Sequence, residues 1–405
     1  MSLFKKIVHE LNYLKAGDIL QGFLMLVSLP VAGVYKLSLL ARRREVWLVC
    51  EDRREACDNG FCFFKYLNEA HPEVDSRYAV DYRSEAYERV RRVGKTVRYG
   101  SLWHWVLYFC CKANISTQKS GKPNAAVCYV LEVFGIIRSR SVFLQHGITI
   151  NKAEWLFYPN TKMRLFICGA KPEYDYVREY FGYPEKNVAY LGFNRFDDYH
   201  GVTPNPRQVV LMPSWREWIA SKNEFSDKYE DTKTFTNTEY YQKYQELIND
   251  PSLIRLLEEK DLILYFYPHR NMQKYISDFS VTSDRIRIVT NETSNIRDLL
   301  MQSAVMITDY SSVAMDFAYM RKPVIYYQFD ERRFREAQYA EGYFSYRDCG
   351  FGKVCLTCDE TVAELRAVYD RDRELSPEAK ASVDAFFPLY DNRNNQRIYE
   401  AIRDL

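Results

Sequence analysis

The sequence predicts an α/β chain in which two doubly wound parallel-sheet domains follow a short apolar N-terminal segment. Three observations carry that expectation. From Glu45 onward, short runs rich in β-branched and aromatic residues alternate with helical patterns, the signature of βαβ units. The alternation pauses at GVTPNPRQ (201–208), where two prolines and a glycine mark a linker, and then resumes. The clearest unit lies at 303–330, SAVMITDYSSVAMDFAYMRKPVIYYQFD. It reads as a strand buried on both faces (304–308), a turn (309–312) and a largely buried helix (313–320). A stop at Arg321-Lys322-Pro323 leads to a second strand (324–327). The intervening helix makes the two strands parallel.

Composition bounds the function classes. At 405 residues there is room for two to three domains and a sizeable core. A net charge of +2 argues against a dedicated nucleic-acid binder, so no nucleic-acid partner is expected. Aromatic content of 16%, with 33 tyrosines, points to amphipathic surfaces or binding clefts rather than disorder. The 10 cysteines are scattered and no cleavable export signal is evident, which reads as reduced thiols in the cytosol. Cys355 and Cys358 form a lone CxxC in a strand-like run, 353–357, and are expected to pack rather than react.

Residues 1–44 read as a membrane-surface device. LFKKIVHELNYLK (3–15) has apolar residues at helical spacing. The uncharged run 19–35 is interrupted by Gly22, Pro30 and Gly33, and Arg42-Arg43-Arg44 follows. A spanning helix needs ~17–25 apolar residues, so the segment is expected to form an amphipathic helix and then a shallow, Pro-broken apolar hairpin held by cations. A buried core helix and a single true span are the alternatives.

A first domain over 45–200 follows. Strands are expected at 46–50, 77–82, 96–101, 112–117, 141–147, 164–169 and 187–192, with helices after Asn59-Gly60, over 85–93, over 102–111 and around 173–181. A second domain over 201–376 has strands at 209–214, 262–270 and 286–290 before the unit at 303–330. Helices are expected over 239–260, and a charged surface loop over 221–238. Helices in 377–405 are expected to pack back across the first domain. Two such domains would form a cleft between the carboxyl ends of their sheets, where open α/β sheets bind ligands.

The polar residues at strand tips are therefore the site candidates: His146 and Gly147 after VFLQ, Arg195 and Asp197 after NVAYLGFN, Trp215 and Arg216 after VVLMPS, His269 and Arg270 after LYFYP, and Asp309 with Ser311 and Ser312 after the strand at 304–308. Arginines offer forked donors for phosphate oxygens, and histidine is the side chain suited to proton transfer near neutrality. The two serines read either as phosphate ligands at a helix N-terminus or as a simple cap. No GxGxxG follows a strand and no GxxxxGK[ST] occurs, which weighs against nicotinamide and P-loop chemistry. No tightly bound cofactor and no metal site is expected. Mg²⁺ often assists phosphoryl transfer, but no residue pattern calls for it.

In series, QHG (145–147), LGFNRFD (191–197), MPSWR (212–216), PHR (268–270) and TDYSS (308–312) resemble the CDP-glycerol glycerophosphotransferase family of teichoic acid primases and polymerases. Phe329-Asp330, GYF (342–344) and GFG (350–352) extend the resemblance, which runs from about residue 45 to the C-terminus. It implies a GT-B architecture of two Rossmann-like domains. It also implies transfer of a polyol phosphate from CDP-glycerol or another CDP-polyol to a lipid-linked saccharide, with release of CMP. The enzyme would be peripheral or monotopic at the cytoplasmic face of the cell membrane. By motif matching, His146 falls on the family's general base and His269 on a histidine at the donor diphosphate. Arg270, Ser311 and Ser312 fall on phosphate-binding positions. Arg216, Arg195, Asp197, Trp215, Asp309 and Asp330 complete the candidate cleft, with the cytidine near 329–333. The chain departs from the family in Phe193-Asn194-Arg195, where a proline-arginine pair is common, and in MPSWR for MPTWR. It also lacks the extra N-terminal region of the larger polymerases, which favours a primase-like enzyme. A CDP-ribitol phosphotransferase, a GT-B sugar transferase using a nucleotide sugar and a non-catalytic membrane scaffold are the rival readings.

Overall fold

Apolar runs too short for helices become two parallel sheets in the structure, a computed structural model that describes residues 15–219 and 232–405. The amphipathic helix expected over 3–15 lies outside the described residues except for Lys15, as does most of the loop expected over 221–238.

The first unit comprises described residues up to Ile148, Ala153–Asp197 and Asp391–Leu405. It opens with α1 (Ala16–Ala41), followed by β1 (Val46–Cys50), α2 (Asn59–Ala70), β2 (Asp75–Val80), α3 (Ala86–Val93), β3 (Thr96–Arg98) and α4 (Leu102–Cys110). Then come β4 (Ala113–Ser116), α5 (Ala125–Val133), β5 (Ser141–Phe143), β6 (Leu165–Cys168), α6 (Lys171–Tyr180) and β7 (Val188–Tyr190). The seven strands lie in the order β3-β2-β1-β4-β5-β6-β7, every neighbouring pair parallel. All residues of β1, β4, β5 and β6 are buried, as expected of strands covered on both faces.

The apolar N-terminal segment is one continuous 26-residue helix through Pro30, not a hairpin. Docking along its length explains why the glycines and proline do not break it. Gln21 Nε2 donates to the Gly100 carbonyl (3.0 Å), and its Oε1 accepts from Trp105 Nε1 (2.8 Å). Asn124 Nδ2 donates to Asp18 Oδ1 (2.8 Å), and Cys110 Sγ donates to the Ala32 carbonyl (3.2 Å). Leu39 joins Trp105 and Leu107 in the core beneath. The opposite face carries Ile19, Phe23, Leu26, Val34, Leu37 and Leu40, each more than half exposed. Among the described residues this is the helix long and apolar enough to cross a membrane.

The second unit comprises 149–152 and 198–390. Its strands are β8 (Asn205–Met212), β9 (Ile263–Phe266), β10 (Ile286–Ile288), β11 (Ser303–Thr308), β12 (Val324–Tyr327) and β13 (Val354–Cys355). They lie in the order β10-β9-β8-β11-β12-β13, again wholly parallel. The linker is shorter than the sequence suggested, because Asn205–Gln208 already belong to β8. The helices are α7 (Glu239–Leu247), α8 (Pro251–Glu259), α9 (Ile296–Gln302), α10 (Val313–Tyr319), α11 (Glu331–Ala337), α12 (Cys358–Asp370) and α13 (Pro377–Phe386). The helix expected over 239–260 is thus two. Asp250 caps the second by accepting from the Ser252 and Leu253 N–H groups, and Pro251 opens it. Cys358 does open a helix, contrary to a strand-like CxxC, but burial pushes the Cys355 thiol up to about 11 and the Cys358 thiol up to about 12. Neither is the thiolate that redox chemistry needs.

The C-terminal helices divide. Phe386 of α13 packs on Phe344 and Phe351 of the second unit. Ile398 and Ile402 of α14 (Asn394–Arg403) complete the core of the first with Val49, Phe63 and Ile167. The start of α14 meets Gly192, whose φ of +79° and lack of a side chain admit Asn394; a Cβ there would lie 1.8 Å from Asn394 Oδ1. Gly192→Ala is expected to cost stability well beyond the ~1–2 kcal/mol of a left-handed residue alone, seen as a lowered melting temperature. Gly201→Ala, at φ +78° with open space around it, supplies the control that carries only the conformational cost. Equal shifts in thermal unfolding of the two variants would contradict this packing.

Candidate active site

In both sheets the strand order reverses once, between β1 and β4 and between β8 and β11. Loops leaving neighbouring strands in opposite directions open a crevice at such a point, the usual ligand position of open α/β sheets. The sequence-selected residues fall at or beside these two points.

At the second sheet's reversal, the loop after β8 carries Ser214, Trp215 and Arg216, and the loop after β11 carries Asp309 to Ser312. Arg216 is completely buried. Its Nε and Nη2 donate to the two oxygens of Asp330 (2.7 and 3.0 Å), a bidentate pair. Its Nη1 donates to Ser214 Oγ (3.0 Å) and lies 2.8 Å from Asp309 Oδ2. Asp309 Oδ1 also accepts from the Ser214 and Tyr310 N–H groups (2.8 and 2.6 Å), and Oδ2 accepts from the Tyr244 hydroxyl (3.1 Å). Burial alone would push the Arg216 guanidinium down, but Asp309 and Asp330 hold it well above the usual arginine range. Tyr240, Tyr310 and Phe334 surround it at 5.1–5.3 Å. Arg216, Asp309 and Asp330 are therefore one buried cluster that joins the tips of β8, β11 and β12. A fully buried guanidinium cannot touch a diphosphate, so the forked-donor role expected of Arg216 gives way to positioning.

What the cluster positions is accessible. Ser312 is exposed and Ser311 half-buried, and Ser312 makes no side-chain cap to α10. The capping alternative for Ser312 is thereby removed. His269 is half-buried; its backbone N–H donates to the Pro213 carbonyl (3.1 Å), and its Nδ1 accepts from the Asn271 N–H (3.2 Å). That bond assigns the proton to Nε2. Burial pushes the imidazole below its ordinary range, Asp309 opposing and Arg270 adding to the shift, so the ring is a neutral donor at neutral pH. Arg270 is exposed and opens a 3-10 helix, Arg270–Asp278. Trp215 is buried, its ring 6.4 Å from that of His269. In the region expected to receive cytidine, the Arg333 guanidinium lies over Trp218 (4.7 Å), while Phe329 packs on Tyr244 and Tyr327.

In the first sheet His146 follows β5 and is exposed, with Nδ1 3.4 Å from the Thr117 carbonyl oxygen. That contact suits Nδ1–H as donor and leaves the Nε2 lone pair for a substrate proton. The preceding residue explains how the ring is turned outward. Gln145 has a left-handed φ of +60°, rare for a residue with a side chain, and is locked there. Its Nε2 donates to the Ile167 carbonyl (2.7 Å) and to buried Glu173 (3.0 Å), while Asn59 Nδ2 donates to the Gln145 carbonyl (2.8 Å). Asn59 Oδ1 in turn accepts from the Arg195 N–H (3.1 Å). Beside His146 a cavity of about 420 Å³ is lined by Lys119, Tyr129, Val130, Trp155 and Asn160.

Two of the other expected cleft residues have structural partners. Arg195 is buried, pairs with Asp58 (2.9 Å) and lies over Phe193 at 4.9 Å. Asp197 accepts from the backbone and side-chain nitrogens of both Asn394 and Asn395 at 2.6–2.9 Å, which caps α14. Sequence reasoning gave no role to Asn59, placed only ahead of a helix, and quoted Gln145 only as part of QHG; nothing in a sequence marks a left-handed glutamine.

A pair of parallel, doubly wound sheets defines a GT-B-like α/β protein. The chain belongs to the CDP-glycerol:poly(glycerophosphate) glycerophosphotransferase family, whose pattern it matches over residues 34–404. Its relatives include the minor teichoic acid biosynthesis protein GgaB of Bacillus subtilis, 30% identical over 99% of this chain and 46% of that protein. The teichoic acid poly(glycerol phosphate) polymerase of the same organism is 23% identical over 99% and 53%. The glycerol-phosphate primase of that organism is 26% identical over 40% of each chain. The chain thus spans about half the length of the first two of these relatives. A solved structure of the wall teichoic acid polymerase TagF superposes with a TM-score of 0.64 at 13% identity, over 96% of this chain and 98% of that one. At that identity the likeness is one of fold.

Arg216→Ala separates positioning from direct binding. Removing the cation leaves two buried carboxylates facing each other, which typically costs ~3–5 kcal/mol, so a large fall in thermal stability is expected. A variant of unchanged melting temperature that has lost only donor affinity would return Arg216 to the phosphate-binding set.

Proposed function

We propose that this chain transfers glycerol phosphate, or a related polyol phosphate, from a CDP-activated donor to a hydroxyl of a lipid-linked saccharide or polymer, releasing CMP, in the synthesis of a teichoic acid or a similar surface polymer. The observation that carries the reading is family membership over residues 34–404. A solved structure of TagF soaked with CDPG supports the donor class. A primase and polymerases are both among the relatives, and one transfer step is common to them.

In this reading the donor diphosphate lies against Ser311, Ser312, Arg270 and His269 Nε2–H. The acceptor approaches His146 from the neighbouring cavity. As the acceptor oxygen bonds to the phosphorus that bears the polyol, its proton passes to His146 Nε2. The bond from that phosphorus to the bridging oxygen breaks, and CMP leaves with the electron pair. His269 and Arg270 stabilise charge developing on that oxygen.

A donor panel of CDP-glycerol, CDP-ribitol and nucleotide sugars, run with and without Mg²⁺, tests the class. CMP release from a CDP-polyol is expected, and release of a nucleoside diphosphate from a nucleotide sugar would make the enzyme a sugar transferase. Within the panel, His146→Ala should leave donor affinity near normal in calorimetry while the rate falls ~10²–10⁴-fold, the usual cost of a lost general base. His269→Ala should weaken donor affinity and rate together, because its contact exists in both ground and transition states. If His146→Ala retains most of its turnover, the base is elsewhere.

The same reading sets the enzyme at the cytoplasmic face of the membrane, with the exposed stripe of α1 in the interface and Lys36 and Arg42–Arg44, all exposed, toward the headgroups. Phe23→Glu with Val34→Glu and Leu37→Glu changes only exposed positions, so the melting temperature should hold while the protein leaves the membrane fraction. Retention of the folded variant on membranes would contradict an anchoring role for α1.

A further inference from the structure

A second cavity, of about 580 Å³, lies on the flank of the first unit where α1 meets the sheet edge. Its volume is within the ~300–1,000 Å³ of small-molecule sites. One wall is apolar and aromatic: Val31 and Tyr35 from α1, Leu102 and Trp103 from α4. The rings of Tyr35 and Trp103 are 5.3 Å apart, and Val31, Leu102 and Trp103 are all substantially exposed. The other wall carries Arg77 and Arg98. Arg77 holds Asp75 through two hydrogen bonds of 2.9 and 3.0 Å, and Lys95 reaches the same carboxylate at 2.9 Å. Two cations on one anion leave this edge net positive. Arg98 adds a further charge: it is exposed, and its guanidinium has no hydrogen-bond or ion-pair partner among the described residues.

We propose that this cavity is a binding site for an anionic phospholipid of the bilayer, with its phosphate against Arg98 and Arg77 and its glycerol and first acyl carbons against Val31, Tyr35, Leu102 and Trp103. The inference rests on the reading of α1 as a membrane-lying helix. The cavity is bordered by that helix, so an interfacial α1 brings its mouth to headgroup level. Charge complementarity selects the occupant. A zwitterionic headgroup carries its own cation to a wall that already holds an excess of them, whereas an anionic headgroup does not. Tryptophan and tyrosine at such a boundary suit a ligand that is apolar at one end and polar at the other.

The test uses the full chain and two probes. Dihexanoylphosphatidylglycerol below its micelle concentration is titrated in a calorimeter, and vesicles of phosphatidylcholine with or without phosphatidylglycerol are used for flotation. Saturable binding of the short-chain lipid is expected, weakened at least five-fold by Arg98→Gln and by Val31→Trp, which fills the cavity from an exposed position. Dihexanoylphosphatidylcholine should bind at least five-fold more weakly than its anionic counterpart. Arg98→Gln should still float with vesicles, since the α1 stripe is intact. Flotation without saturable short-chain binding, or binding indifferent to both substitutions, overturns the lipid site while leaving the membrane-lying helix in place. Failure of the wild type to float overturns the helix reading itself. Displacement of the probe by farnesyl diphosphate at lower concentration than by phosphatidylglycerol overturns the assignment in favour of an isoprenoid diphosphate.

Discussion

The buried pairing of Arg216 with Asp309 and Asp330 is the constraint on which the second unit's site depends. Two carboxylates and one guanidinium removed from water are costly, and their mutual attraction repays that only when the remaining donors and acceptors are satisfied. Here they are met by the Ser214 and Tyr310 backbone N–H groups, the Ser214 and Tyr244 hydroxyls and a surround of aromatic rings. Each partner comes from a different strand tip. The cluster therefore works as a joint: the β8 and β11 loops cannot shift separately without unpairing a charge. Ser311, Ser312 and His269 are the accessible groups carried on that joint. On the proposed function this is electrostatic preorganisation one layer beneath the groups offered to the donor.

The first unit reaches the same end mainly with side-chain amides. Asn59 bridges the carbonyls after β5 to the backbone of Arg195, and Gln145 is tied to Ile167 and Glu173. The result is a histidine on a residue pair whose backbone would otherwise have many conformations. Left-handed geometry at a non-glycine residue persists only where surrounding bonds over-determine it. Here three side-chain hydrogen bonds from or to Gln145 do so.

Much of this was legible from the sequence because it rests on local pattern. Apolar runs such as VWLVC, LFIC and SAVMIT are strands because nothing else buries both faces over so few residues, and the βαβ unit around Asp309 follows its predicted course. Partner-dependent properties were less legible. An arginine after a strand looks the same whether it faces solvent or two carboxylates, so Arg216 and Arg195 were read as ligands for an external phosphate. Asp197 looked like a cleft carboxylate because Asn394 and Asn395, nearly two hundred residues later, cannot be paired with it by inspection. Pro30 suggested a hairpin because local rules know nothing of the α4 surface that keeps the helix whole. The left-handed backbone of Gln145 has no sequence signature at all.

The manner in which α1 is held has a geometric consequence. Asp18, Gln21 and the Ala32 carbonyl make directional bonds to three separate places on the globular unit, so the helix can neither roll about its axis nor slide along it. An anchor tethered by a flexible linker would let lipids choose its depth and rotation. Here protein contacts fix the rotation and position of α1 on the unit, and its outward face is always the same. The distance from that face to the His146 imidazole is then a fixed property of the molecule. On the proposed function, with α1 at the bilayer surface, an acceptor hydroxyl would have to stand at a matching height, and the helix would act as a ruler for how far that acceptor had already grown.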